Sequence, residues 1–133
     1  MSRRSHILVV EDDPDMSEVI VWALQQARYE TVAAANGRKA LESVAVRMPS
    51  LILLDMMMPV MDGWQFASEF RARYGQPAPI IVVTAAEQVE RRAQEIGADD
   101  WLSKPFELRD LLHAVARFCP VPETPEHWGL IGR

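Results

Sequence analysis

The sequence has little of what secreted and membrane proteins usually contain. Its 133 residues include one cysteine, Cys119, so an internal disulfide is excluded and a reducing compartment is favoured. The apolar run at residues 7–10 is too short for a signal peptide, and no run approaches the length of a membrane span. We therefore expect a soluble, cytoplasmic protein that has no membrane partner.

The sequence also lacks the clustered positive charge that nucleic acid requires and the glycine-rich loop that a nucleotide or flavin requires. The formal net charge is −5 and lysine and arginine form no run longer than a pair, which argues against direct nucleic-acid binding. The segment after the first apolar run is acidic, Glu11 to Asp13, and lacks a glycine-rich phosphate loop. A nucleotide or flavin site is therefore not expected there, because carboxylates repel phosphate.

The most informative stretch lies at residues 51–59. Leu51 to Leu54 run without a polar break into Asp55, and Pro59 and Asp62-Gly63 then break the chain. Such a run is typical of a strand buried on both faces, and in a parallel sheet it delivers the next residue to the edge where ligands bind. A buried carboxylate is costly unless a positive charge lies near it, so Asp55 predicts a cation.

Apolar periodicity predicts five strands that alternate with five helices. The strands are expected at 6–10, 30–34, 51–54, 79–83 and 100–103, and the helices at 14–28, 38–47, 64–74, 87–96 and 107–119. The connections are short, so one doubly wound α/β domain over residues 1–119 is the simplest solution. The proline-containing segment 120–133 predicts a disordered tail or linker stub; the alternative is that Trp128 and Leu130 dock back or bind a partner.

Polar residues directly follow four of these strands. They are Glu11 and Asp12 after the first, Asp55 after the third, Thr84 after the fourth and Lys104 after the fifth. Three neighbouring carboxylates would repel one another, and an all-oxygen cluster suits a hard ion such as Mg²⁺. The ion and Lys104 could neutralise a transferring phosphoryl group, to which Thr84 would offer its hydroxyl. Asp55 would be the nucleophile and would form an acyl phosphate.

From Ser5 to Cys119 the chain resembles the receiver domain of two-component response regulators. Several motifs carry the resemblance in the right order: Glu11-Asp12, Asp55 followed by Met58-Pro59 and Asp62-Gly63, then Thr84-Ala85, then Lys104-Pro105-Phe106. The resemblance implies a flavodoxin-like, three-layer fold whose parallel sheet has the strand order 2-1-3-4-5.

The same resemblance implies a role for each site residue. Asp55 would accept a phosphoryl group from the phosphohistidine of a histidine kinase or a phosphotransfer protein. Mg²⁺ would be held by Asp12, Asp55 and the backbone carbonyl of Met57, with Glu11 acting through water. Lys104 would pair with the phosphoryl group, and its bond to Pro105 would be cis.

A conformational switch is implied as well. Thr84 would move toward the phosphoryl group, and Trp101, where tyrosine or phenylalanine is commoner, would fill the vacated space. The surface of the fourth helix, fifth strand and fifth helix would then change its binding of another protein or its dimerisation. The chain would act as a switch that promotes its own phosphorylation, not as an enzyme on a separate substrate. Neither Met57 nor Ala86 can orient a water molecule, so we expect slow self-dephosphorylation.

One enzyme hypothesis remains beside this interpretation. Residues 13–17, Asp-Pro-Asp-Met-Ser, resemble the nucleophile motif of haloacid dehalogenase-like phosphohydrolases, in which Asp13 would be the nucleophile. Pro14 argues against it, because a proline at a first helical position would place Asp15 on a helix and leave Asp13 as its N-cap. Asp55 would then have no role. The sequence leaves open whether the chain is a stand-alone regulator, a relay intermediate or part of a larger protein.

Overall fold

The computed structural model describes residues 6–85 and 87–120. Its five strands are β1 (His6–Val10), β2 (Glu30–Ala34), β3 (Leu51–Leu54), β4 (Ile80–Thr84) and β5 (Asp100–Ser103). They form one parallel sheet in the order β2-β1-β3-β4-β5, so the predicted fold and strand order are confirmed. The expectations for the tail at 121–133 lie outside the described residues.

Five helices connect the strands: α1 (Pro14–Gln26), α2 (Gly37–Val46), α3 (Gly63–Tyr74), α4 (Val89–Glu95) and α5 (Leu108–Phe118). The helix α4 is shorter than predicted, because Gln88 has a left-handed backbone (φ 58°) that cannot continue a helix. Likewise α5 begins one residue late, since Glu107 has extended backbone geometry. Among the described residues no helix is long and apolar enough to cross a membrane.

The helices cover both faces of the sheet. One apolar core lies between the sheet and α2, α3 and α4, and it contains Phe66 and Phe70 with stacked rings 5.6 Å apart. The second core lies between the other face and α1 and α5, around Leu24 and Leu111. Because β1, β3 and β4 are covered on both sides, every one of their residues is buried. The edge strand β5 alternates between half-buried and exposed residues.

Two helix starts fix the loops beside the carboxyl ends of the strands. Asp13 caps α1, and its Oδ1 accepts hydrogen bonds from the backbone N–H groups of Asp15 and Met16. At the start of α3, Gly63 packs so closely that a Cβ there would lie 2.7 Å from the carbonyl oxygen of Asp55. Only glycine fits this contact, so α3 begins directly against the backbone that carries Asp55.

Candidate functional site

Three carboxylates lie together at the carboxyl ends of β1 and β3. Glu11, Asp12 and Asp55 each offer an oxygen atom, and these atoms lie within 4.8 Å of one another. The two strands are neighbours, with Val10 opposite Leu54, so the residues that follow them meet at one edge of the sheet. Glu11 and Asp55 are only 4% and 6% exposed, whereas Asp12 is exposed. The cluster is therefore open to solvent on the side of Asp12.

Backbone hydrogen bonds hold the two buried carboxylates in place. Glu11 Oε2 accepts a bond from the N–H of Asp13 at 3.1 Å, and Asp55 Oδ1 accepts one from the N–H of Met57 at 3.3 Å. The N–H of Asp55 donates to Val10 at 3.0 Å, which continues the β1–β3 pairing as far as the site. Each carboxylate thus keeps another oxygen for a cation.

Lys104 reaches this cluster from the end of β5. Its Nζ lies 2.5 Å from Glu11 Oε1 and 3.3 Å from Asp55 Oδ2, and its side chain is 14% exposed. The Lys104–Pro105 peptide bond is cis. The N–H of Lys104 donates to the carbonyl of Thr84 at 3.0 Å, which anchors the residue to the end of β4. One ammonium therefore contacts both buried carboxylates.

The charges of this cluster perturb one another. Burial raises the pKa of Glu11 above its ordinary value, and the Asp55 charge adds to this, while the bond from Lys104 opposes it. For Lys104, burial opposes the charged form, but the Glu11 and Asp55 carboxylates outweigh burial and raise the pKa of the ammonium. Lys104 is therefore a stable positive charge at neutral pH.

The other residues of the predicted site lie around this centre. Thr84 is buried at the end of β4. Trp101 lies on β5 with 39% of its surface exposed, in a groove of about 420 Å³ that it shares with Asp110, His113 and Arg117 of α5. Met57 is 60% exposed in the loop after Asp55, so it does not pack in the core as Met56 and Met58 do.

The phosphohydrolase hypothesis is contradicted by the placement of Asp13. Its carboxylate is exposed and accepts the bonds that cap α1, and Asp15 lies on that helix. A nucleophile would have to point into the cluster, where Asp55 lies instead.

Sequence reasoning missed one feature of the site loop: Val60 is 72% exposed and has a left-handed backbone (φ 70°), which no sequence pattern signals for a β-branched residue.

The donor set fits Mg²⁺. All the available ligand atoms of the cluster are carboxylate oxygens, two of the three carboxylates are held by backbone bonds, and the third faces solvent. Mg²⁺ prefers one or two carboxylates and keeps several water molecules, which an open cluster of this kind permits. Soft metals would require cysteine or histidine ligands, which this cluster lacks.

Comparison with known proteins places this geometry in a family. Residues 7–116 match the family model of the response regulator receiver domain. The chain is 40% identical over 108 residues to the response regulator MprA of Mycolicibacterium vanbaalenii, covering 80% of this chain and 46% of MprA. It is 33% identical over 129 residues to the DNA-binding dual master transcriptional regulator RpaA of Synechocystis, covering 91% and 53%. The chain therefore spans about half the length of these curated relatives.

Solved structures are similar over most of their length. The chemotaxis protein CheY4 of Vibrio cholerae aligns with a TM-score of 0.80 at 31% identity, covering 87% of this chain and 99% of CheY4. The receiver domain of the Pseudomonas aeruginosa sensor histidine kinase PA1611, with a magnesium ion in its active-site cleft, gives 0.79 at 34%, covering 87% and 98%. TrrA of Thermotoga maritima, in complex with Mg²⁺ and BeF, gives 0.77 at 32%, covering 86% and 98%. This chain belongs to the receiver-domain family of two-component response regulators.

Proposed function

We propose that the chain is a phosphoacceptor switch of a two-component pathway and that Asp55 carries the phosphoryl group. The observation that carries the proposal is the contact of one ammonium, Lys104, with two buried carboxylates beside an exposed third, Asp12. A structural ion pair needs one carboxylate for its ammonium, whereas this cluster has three carboxylates and one ammonium. The excess negative charge lies on the side of Asp12, which is open to solvent. That excess is what a divalent cation and a phosphoryl group would balance together.

The reaction is a transfer between two nucleophiles. A carboxylate oxygen of Asp55 attacks the phosphorus of a phosphohistidine on a kinase or phosphotransfer protein, the P–N bond breaks and the imidazole keeps the electron pair. Lys104, 3.3 Å from Asp55 Oδ2, would pair with an oxygen of the arriving group. The buried hydroxyl of Thr84 is proposed to donate to a second oxygen.

Mg²⁺ fits this scheme as the resident cofactor. The residues proposed to hold it are Asp12, Asp55 and the backbone carbonyl of Met57, with Glu11 acting through water. When bound, the ion would offset the negative charge of the carboxylates and of the phosphoryl oxygens. Asp12 is the ligand most able to recruit it, because its side chain is exposed, whereas Glu11 and Asp55 are buried and share the Lys104 ammonium.

The proposed output surface is formed by α4, β5 and α5. Thr84 and Trp101 would connect it to Asp55: the hydroxyl moves toward the phosphoryl group, and the half-exposed indole moves inward from the groove beside α5. The domain would then bind another protein or a second copy through this face. The net charge of −5 supports protein contact over direct contact with nucleic acid by this domain.

Intact-mass spectrometry tests the proposal. The protein is incubated with phosphoramidate with and without Mg²⁺, and the Asp55→Asn and Asp13→Asn variants are treated in parallel. We expect one phosphoryl adduct that requires Mg²⁺, is absent from Asp55→Asn and is retained by Asp13→Asn. A covalent adduct on the Asp55→Asn variant would refute the assignment of the acceptor.

A further inference from the structure

The helix α4 has little local support. It contains seven residues, Val89–Glu95, and the side chain of its N-cap residue Gln88 makes no capping hydrogen bond to the helix backbone. Its internal side-chain pairs, such as Arg91–Glu95 at 3.8 Å, are exposed and weak, and a helix of this length is not stable alone in water, so its position depends on contacts with the rest of the domain. Ala93 is its buried residue and Val89 is half-buried against the same core, so α4 contributes little apolar area. Polar contacts with neighbouring elements must therefore help to hold α4.

One group of these contacts joins α4 to α3. Trp64 Nε1 donates a hydrogen bond of 2.9 Å to Glu95 Oε1. The Arg92 guanidinium lies over the same indole, 5.5 Å from the ring centroid, and its NH1 atom lies 3.5 Å from the same carboxylate oxygen. The ring of Trp64 is thus bound at its edge by a carboxylate of α4 and at its face by a cation of α4.

The turn after α4 is attached to α3 as well. Arg71 of α3 donates to the carbonyl of Gly97 at 2.9 Å and lies 3.4 Å from that of Ile96. Between these contacts the helices leave an open groove of about 310 Å³, lined by residues of both. Polar contacts across this groove therefore connect the two helices in addition to the apolar core that both of them cover.

The other end of this connection is fixed to the phosphoacceptor strand. The N–H of Gly63 donates to the carbonyl of Met56 at 3.0 Å, and its Cα packs against the backbone of Asp55. Trp64 is the next residue. A short path of backbone and side-chain contacts therefore leads from Asp55 to the C-terminal end of α4.

We propose that the Trp64–Glu95 contact is a tie that holds α4 in its resting position and opposes its displacement on phosphorylation. Its regulatory part rests on the proposed function, because it requires that α4 belongs to the signalling surface. The bond to Trp64, with Arg92, lowers the pKa of Glu95, so the carboxylate stays ionised and the bond is charge-assisted. By reciprocity, a contact that favours the resting state weakens binding of a phosphoryl group by the same factor.

Amide hydrogen exchange of the metal-free protein tests the tie directly. Trp64→Phe keeps an aromatic ring but removes the indole N–H donor, and Glu95→Ala removes the acceptor. Each variant should exchange about three- to ten-fold faster at residues 89–96. The double variant should exchange no faster than Glu95→Ala, because that change already removes the bond to Trp64 together with the contacts of Glu95 to Arg91 and Arg92.

Two matched controls separate a local effect from general destabilisation. Trp22→Phe makes the same substitution at an exposed position on α1, and Glu69→Ala breaks the Glu69–Arg73 ion pair within α3. Both should leave exchange at 89–96 unchanged. Glu95→Ala also removes the pairs with Arg91 and Arg92, so the comparison of Glu95→Ala with the double variant isolates the bond to Trp64. Unchanged exchange at 89–96 in the Glu95→Ala variant, or additive effects in the double variant, would overturn the proposal.

Titration with beryllofluoride in the presence of Mg²⁺ tests the regulatory part. Trp64→Phe and Glu95→Ala should bind it about three-fold or more tightly than the wild type, and Trp22→Phe should match the wild type. Equal affinities in all four proteins would refute the regulatory part. If the wild type itself does not bind beryllofluoride, the proposed function fails, while the exchange experiment still decides whether the tie exists.

Discussion

Lys104 Nζ lies 2.5 Å from Glu11 Oε1, although the two residues are 93 positions apart in the chain. The strands that precede them are not neighbours in the sheet, because β3 and β4 lie between β1 and β5. The lysine side chain therefore spans the ends of two strands to reach Glu11, and on this path its ammonium also contacts Asp55. The Lys104 ammonium is therefore shared between two buried acids.

Replacement of Lys104 by methionine should destabilise the fold. It would leave Glu11 buried beside Asp55 without a positive charge, and we expect the free energy of unfolding to fall by about 1–3 kcal/mol at neutral pH. Urea unfolding measures this. The double variant Lys104→Met, Glu11→Gln should recover part of the loss, since the uncompensated charge is gone. A Lys104→Met protein as stable as the wild type would show that Glu11 does not need its partner.

Adjacent acidic residues of the first loop should differ in metal binding. Asp12→Ala should lose most Mg²⁺ affinity, because its exposed carboxylate belongs to the acidic cluster. Asp13→Ala removes the same charge one position later and should bind Mg²⁺ almost normally, while losing about 1 kcal/mol of stability through the lost helix cap. Titration followed by tryptophan fluorescence compares the two. Equal losses of affinity in the two variants would mean that the ion binds elsewhere or that only the net charge affects its binding.

The phosphoryl group on Asp55 should be long-lived. The side chain of Met57 lies in the loop beside the acceptor and has no group that can position an attacking water molecule. We expect the adduct to persist far beyond seconds, and a Met57→Asn variant, which can bind a water, to lose it faster. Time-resolved intact-mass measurement after removal of the donor gives both lifetimes. A wild-type half-life of seconds would contradict this expectation.

The strained residue of the site loop offers a test of stability. Val60 has a left-handed backbone and is 72% exposed, so replacing it loses little packing. The left-handed conformation costs a residue with a Cβ about 1–2 kcal/mol, whereas glycine costs about 0.5–1 kcal/mol through the entropy of the unfolded chain. Val60→Gly should therefore stabilise the protein by about 0.5–1 kcal/mol in thermal unfolding. Val60→Ala, which keeps a Cβ, should gain less.

His6 should make stability depend on pH. Its Nδ1 accepts a bond of 2.9 Å from Arg47, whose guanidinium also pairs with Glu30, and the ring is 1% exposed. Burial and the Arg47 charge lower the pKa of His6, and Glu30 only partly opposes them. Between the lowered pKa of His6 in the folded protein and its ordinary value of 6.5, the unfolded chain binds more protons than the folded chain. The free energy of unfolding therefore falls as the pH drops through this window.

Urea unfolding at a series of pH values measures this loss. His6→Gln should flatten the dependence in that window, since the ring that must stay neutral is gone. His113→Gln, on the exposed side of α5, is the matched control and should retain the wild-type dependence. An unchanged pH dependence in the His6→Gln variant would show that this ring does not link protonation to folding.

The strands and the site residues follow from local sequence. Each uninterrupted apolar run, such as Leu51 to Leu54, can bury all its side chains only in a sheet that is covered on both faces. Each run is followed by a polar residue, which therefore lies at the edge of the sheet. The helix starts are local too: Asp13 caps α1 and Asp62 caps α3 through bonds to residues two or three positions later. These features depend on neighbours in the chain, so the sequence alone determined them.

Contacts between distant segments depended on the tertiary structure. Nothing in the sequence predicts that Lys104 lies closer to Glu11 than to Asp55. The same holds for the contacts of Arg47 with His6 and of Trp64 with Glu95. Each of these contacts depends on how far a flexible side chain extends across packed elements. The boundaries of α4 also escaped prediction, since its polar sequence has weak periodicity and the left-handed backbone of Gln88 delays its start. The sequence therefore determined which residues reach the edge of the sheet, and packing decided which atoms meet there.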